Sequence, residues 1–185
     1  MDIIMLFLDV ETNGIGSFRP PTQRIMQISW IYNDCDYDFF INDVNDVSPN
    51  VPHDITVEHC HKHGVTWDHA FSLLLQHLQD CDKVICHNAD FDISSIAFEL
   101  KTRKHRSYSK YKRIVKDFCN SGDLVCTMKS TVDLCKLPLS KTSFKFPKLS
   151  ELHFHLFGNE PDLTLHDSLH DCKVLQKCFA ELENS

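Results

Sequence analysis

The feature that most restricts this chain is a short apolar run that ends in two acids, Ile3-Ile4-Met5-Leu6-Phe7-Leu8-Asp9-Val10-Glu11. An unbroken apolar run of this length reads as a strand buried on both faces, at the centre of a sheet. Side chains alternate along a strand with a period of two, so Asp9 and Glu11 emerge on one face at its carboxyl end. Neighbouring carboxylates repel unless something positive lies between them, and a hard divalent cation with oxygen ligands answers that need. A solvated pair in a turn explains an isolated D-x-E spacing equally well. Two further clusters separate the readings.

The first of these, His87-Asn88-Ala89-Asp90-Phe91-Asp92, follows the apolar run Val84-Ile85-Cys86 and precedes a helical pattern at Ile93, Ile96, Ala97 and Leu100. Asp92 is therefore expected just past the tip of a second strand, at the opening of a helix. Either acid there would also suit the positive end of a helix. The other cluster, His166-Asp167-Ser168-Leu169-His170-Asp171, leads into a last helix with apolar residues Leu169, Cys172, Leu175, Cys178, Phe179 and Leu182. Asp171 falls in its first turn or two. His166 is five residues earlier, about 140° round a regular helix. It cannot share a helical face with Asp171 and is expected on the preceding loop; alone, it reads as an ordinary surface histidine.

Together the clusters resemble the DnaQ-like, DEDD-type 3′–5′ exonucleases, in the subgroup with a histidine in its third motif. Asp9-Val10-Glu11-Thr12-Asn13-Gly14 matches the first motif, His87 to Asp92 the second, and His166 with Asp171 the third. The sister subgroup carries tyrosine four residues before the last acid, where this chain has Asp167. Glu58-His59-Cys60-His61-Lys62-His63-Gly64-Val65-Thr66 is similar to the family segment before the middle helix. The resemblance runs from Ile3 to about Leu182.

The resemblance implies an α/β fold, a ribonuclease-H-like mixed five-stranded sheet flanked by helices, forming one exonuclease domain over 1–185. It further implies two divalent cations, Mg²⁺ or Mn²⁺, serving an in-line displacement. By the same likeness Asp9 bridges both, Glu11 and Asp171 complete the nucleophile side, and Asp92 holds the second, directly or through water. His166 takes the proton from the attacking water. Thr12, Asn13, Gly14, Glu58, His63, His87 and Asn88 contact the substrate, a nucleic acid with a free 3′ end. DNA is favoured over RNA, and a polymerase or another replication or repair protein is the expected partner. Asp90, where many relatives have a small apolar residue, is either a solvated extra carboxylate or an outer acceptor near the metals. Phe18 is a candidate wedge between terminal bases. A catalytically dead relative used for binding would have lost one of the five key residues, and all five are present.

The rest of the chain bounds these readings. At 185 residues it can bury a core without cross-links. The apolar run near the N-terminus is too short for a secretory signal or a membrane span. Nine cysteines without C-x-x-C pairing read as reduced thiols of a cytoplasmic protein, or a nuclear one in a eukaryote, that is not secreted. His59, Cys60, His61 and His63 lack a second pair at finger spacing, so zinc is not expected. The pattern predicts strands at 3–9, 25–32, 36–41, 83–87 and around Leu124 to Thr127. Helices are expected near 54–62, 67–80, 91–103, around Leu149 to Phe157 and at the C-terminus, with Gly158 as a breaker.

A net charge of −7 argues against a grip on nucleic acid by electrostatics alone. Yet Lys101, Arg103, Lys104, Arg106, Lys110, Lys112, Arg113 and Lys116 crowd a stretch without Asp or Glu, with Tyr108 and Tyr111 among them. Such a stretch holds phosphates and stacks a base, or is a solvated surface.

Overall fold

The computed structural model describes residues 3–14 and 23–184; Phe18 lies outside them. The strands β1 (Met5–Thr12), β2 (Ile25–Tyr32), β3 (Cys35–Phe40), β4 (Lys83–Cys86) and β5 (Leu124–Cys126) form one sheet of order β3-β2-β1-β4-β5. The β1–β2 and β2–β3 pairs are antiparallel, and β1–β4 and β4–β5 are parallel. The fold is therefore the expected ribonuclease-H-like mixed sheet flanked by helices. Because β1 is the hinge between the two halves, its apolar run is covered on both sides. Leu6, Leu8 and Val10 pack with α2 (Trp67–Asp80), α3 (Ala89–Thr102) and α4 (Tyr108–Ser121). Phe7 points the other way, onto α7 (Leu149–Phe157) and α8 (Ser168–Glu183). Asp9 and Glu11 continue the odd-numbered face and so lie on the α8 side.

Helix α2, expected near 67–80, buries Trp67, Ala70, Phe71, Leu74, Leu75 and Leu78. Thr56 and Thr66 cap α1 (Val57–His63) and α2, each accepting a main-chain N–H three residues on. Gly64, between these helices, sits tight against neighbouring main chain. A Cβ there would sit 2.3 Å from the Cys60 carbonyl oxygen and 2.9 Å from that of Phe40. Gly158 ends α7 in the left-handed conformation, as anticipated.

Three features depart from the sequence pattern. Strand β1 extends to Thr12 because pairing with β2 persists that far, so Asp9 and Glu11 sit within the strand rather than at its end. One-turn helices α5 (Thr127–Ser130) and α6 (Val132–Cys135) follow β5. The basic stretch becomes the end of α3, a turn, and α4. Only Tyr111 of α4 is fully buried, with its hydroxyl donating to the Ile93 carbonyl at 3.0 Å. Tyr111 therefore cannot stack on a base, which corrects half of that expectation. Tyr108 stays partly exposed beside Lys112.

Among the described residues no helix is long and apolar enough to cross a membrane. The nine cysteines are free thiols, five of them buried.

Candidate active site

The parallel strand β4 pairs with β1 only from Met5 to Phe7. Beyond that point the edge of β1 is open on the β4 side, and the first turn of α3 fills the notch. Asp92 enters here, 1% exposed, beside the Val10 main chain, while its own amide donates to the Asn88 carbonyl at 3.3 Å. A helix opening beside a strand end thus carries an acid to the strand that bears Asp9 and Glu11, as the sequence suggested.

On the opposite side α8 brings Asp171. The start of that helix is held on β2 by buried polar groups. Gln27 accepts from the Ser168 amide at 3.1 Å and donates to Asp167 at 3.2 Å and Asp38 at 2.9 Å. The Ser29 and Ser168 hydroxyls lie 2.5 Å apart. Asp167 caps α8 by accepting the amides of Leu169 and His170. Ser29, Gln27 and Ser168 are fully buried, so every partner in this joint matters, since an unpaired buried polar group costs about 1–3 kcal/mol. The joint fixes the rotation of α8, and with it the direction of Asp171.

His166 lies on the loop before α8, exposed, as expected. Its φ of 68° places it in the left-handed region, uncommon for a side-chain-bearing residue and found preferentially at functional turns. This turn folds the loop back so that the His166 amide donates to Asp171 Oδ2 at 3.4 Å. Ligand atoms of Glu11, His166 and Asp171 lie within 4.8 Å of one another.

The electrostatics follow from crowding. Burial, then Asp92, Asp171 and Glu11, push the Asp9 carboxyl well above the usual carboxylate range. Burial, then Asp171 and Asp167, push Glu11 up to about 8. Asp92 is raised chiefly by burial, and Asp171 is pushed up to about 7, again first by burial. None of these four acids forms an ion pair with Lys or Arg among the described residues. Asp92 Oδ2 and Asp171 Oδ1 are buried without a hydrogen-bond partner. Four crowded carboxyl groups, two of them with a buried oxygen that lacks a partner, suit hard divalent cations, which would satisfy those atoms and cancel the repulsion.

The remaining candidates divide. Thr12 donates to the Gly14 carbonyl at 2.9 Å, and Asn13 is tied to Arg24 and Asp46, which shapes the turn after β1. A cleft of ≈ 670 Å³ opens beside His166, walled by His53, Thr56 and His59 on one side and His166, Asp167 and His170 on the other. Glu58 and His63 are exposed on α1; the His63 ring packs on His59, which lines the cleft. Asn88 caps α3 through its backbone. His87 has both ring nitrogens engaged, with Thr127 and with the Pro147 carbonyl, each at 3.0 Å. Burial lowers its pKa to about 4, so it is a neutral tie between β4 and the segment before α7. Asp90 pairs with Lys129 at 2.8 Å. His61 bonds the Val44 carbonyl, and no metal cluster forms around it among the described residues.

Two contributors have no signature in the sequence. His53, buried, bonds the Thr12 carbonyl at 2.8 Å and supports the end of β1 from 41 residues away. Lys148 lies close enough to His166 for its charge, after burial, to lower the imidazole pKa. Neither residue stands in a motif, and nothing local marks them.

The sheet order and crossovers make this a ribonuclease-H-like α/β fold with an acidic cluster at the open end of its central strand. No protein-family model matches the chain, and no curated protein matches its sequence. Among solved structures the fold is similar to that of cell-death related nuclease 4 (CRN-4), with a TM-score of 0.57 at 13% identity over 98% of this chain. The chain spans 64% of the length of that structure.

Proposed function

We propose that this protein is a metal-dependent 3′–5′ exonuclease, a single catalytic domain that hydrolyses phosphodiester bonds at single-stranded or frayed 3′ ends of DNA and releases nucleoside 5′-monophosphates. The observation that carries the reading is the convergence of Asp9, Glu11, Asp92 and Asp171, from three separate elements, around buried carboxylate oxygens that lack partners. The nuclease named by the similarly folded structure agrees with it.

Asp9, Glu11, Asp92 and Asp171 would hold two divalent cations, Mg²⁺ or Mn²⁺. Bound there, such ions acidify water and stabilise the charge that develops on a scissile phosphate. The protein's own contribution begins with His166, which takes the proton of the attacking water. Burial, Lys148 and His53 hold its pKa below the ordinary value, so the imidazole is neutral near pH 7 and has a lone pair to accept that proton. Asp171 fixes the His166 main chain through its amide. Thr12, Asn13 and Gly14 orient the terminal nucleotide at the end of β1, with Glu58, His63 and Asn88 flanking it and His87 holding the adjoining segment.

The test is digestion of matched DNA and RNA oligomers bearing free 3′ hydroxyls, with Mg²⁺ and with EDTA. The expected result is EDTA-sensitive release of 5′-monophosphates, faster from DNA; a preference for RNA would keep the chemistry and reassign the substrate. His166→Ala is expected to lower kcat by about 10²–10⁴-fold while calorimetry still detects cation binding. Asp9→Asn is expected to lose both. Full turnover in His166→Ala would remove its assigned role.

A further inference from the structure

Between α6 and α7 the chain doubles back as a tight hairpin. Pro138 bridges to Phe144, the Leu139 and Ser140 amides donate to the Ser143 carbonyl at 2.9 and 3.1 Å, and the Lys145 amide donates to Leu137 at 2.9 Å. The backbone is ordered by its own hydrogen bonds, and its apolar side chains face water. Leu139, Phe144 and Phe146 are 68%, 43% and 56% exposed. From Leu134 to Ser150 there are four lysines and no acid. Lys145 is engaged by Glu151 at 2.5 Å, whereas Lys136, Lys141 and Lys148 are exposed.

The base of the hairpin lies near His166, which lines the cleft. Pro147 accepts from His87, and Lys148 is within electrostatic reach of His166. Single exposed aromatics are ordinary on a protein surface. Two aromatics two residues apart, with lysines around them and His166 near their base, offer what unpaired bases and their phosphates require together.

We propose that the hairpin 137–148 is a binding arm for single-stranded nucleic acid, on which Phe144 and Phe146 stack bases while Lys141 and Lys148 hold phosphates. It rests on the nuclease reading for its setting, and it carries the strand upstream of the nucleotide in the cleft. A duplex presents no free base faces to such a platform, so the arm selects unpaired strands.

The experiment is fluorescence anisotropy of labelled oligothymidylate of about 12 nucleotides, in EDTA so that no cleavage intervenes. It compares the unmodified chain with the Phe144→Ala/Phe146→Ala and Lys141→Gln/Lys148→Gln variants. All four side chains are exposed, and thermal unfolding verifies that both variants remain folded. The aromatic pair is expected to weaken binding by about 30-fold or more, since each base stack lost is worth roughly 1–3 kcal/mol. The lysine pair is expected to reduce the slope of log Kd against log salt by about 1.4, at ~0.7 per phosphate of a single strand. With Mg²⁺, the ratio of kcat/KM on the oligomer to that on a dinucleotide should fall in the aromatic variant, through KM. Unaltered affinity and an unaltered ratio would overturn the arm and leave the nuclease reading standing. Equal affinity for duplex and single strand would overturn it as well. A chain that cleaves no nucleic acid would overturn the proposed function instead, and the anisotropy comparison would still decide for or against the arm.

Discussion

Replacing Asp171 with asparagine removes one negative charge from the acidic cluster while keeping the shape of the side chain and its acceptor for the His166 amide. The folded carboxyl titrates at about 7 rather than 3.8, because burial, and then Asp167, disfavour its ionised form. A raised folded-state value has a definite sign. Between these two values the folded chain binds a proton that the unfolded chain has released, so stability falls as pH rises through the window, and the loss is complete above about 7. From pH 5 to pH 8 this amounts to about 3 kcal/mol at 1.36 kcal/mol per unit, most of it by pH 7, where the folded carboxyl is half ionised. Asparagine does not titrate, so the variant escapes this part of the loss. Its advantage in Tm over the natural chain, in EDTA, is expected to widen by about 6–12 °C between pH 5 and pH 8. Asp9, Glu11 and Asp92 are raised too, so the variant's own stability still declines with pH, only less steeply. Adding Mn²⁺ at pH 8 should reverse the order, because the natural chain gains more from a bound cation. Differential scanning fluorimetry across pH, with and without Mn²⁺, measures all of this. A Tm difference that stays flat or shrinks from pH 5 to pH 8 would refute the claim that Asp171 is held in a charge-crowded pocket.

Glu99 is fully buried and accepts from Arg24 at 2.8 Å, Arg103 at 2.7 Å and the Ile25 amide at 2.9 Å. Glu99→Leu strands those donors and is expected to cost about 3–5 kcal/mol in urea denaturation. Gly64→Ala drives a methyl group against the Cys60 and Phe40 carbonyl oxygens, and is expected to lower stability by about 1–3 kcal/mol by overpacking, read as a lower Tm.

Much of the architecture was legible because it depends on local periodicity. The all-apolar start of β1 reads as a central strand, and its period of two put Asp9 and Glu11 together. The spacing of Trp67, Phe71, Leu74 and Leu78 reads as an amphipathic helix, and α2 buries that face. Helix α4 was harder to see because most of its side chains are polar and exposed, and Tyr111 alone is fully buried. The extra length of β1 was invisible because a strand persists as long as its partner does, and that partner, β2, lies elsewhere in the chain.

The positions of the candidate acids and of His166 and the elements expected to carry them were read from the sequence, from local patterns joined by a family resemblance. Which face of β1 meets α8, how Asp92 enters the notch past β4, and how the Gln27, Ser29 and Ser168 joint aims Asp171 were decided only by the tertiary structure. So were the support of Thr12 by His53 and the nearness of Lys148 to His166. The physical reason is range. Periodicity and capping act over one or two turns, whereas burial, repulsion between carboxylates and the pairing of buried polar groups depend on segments brought together from across the chain.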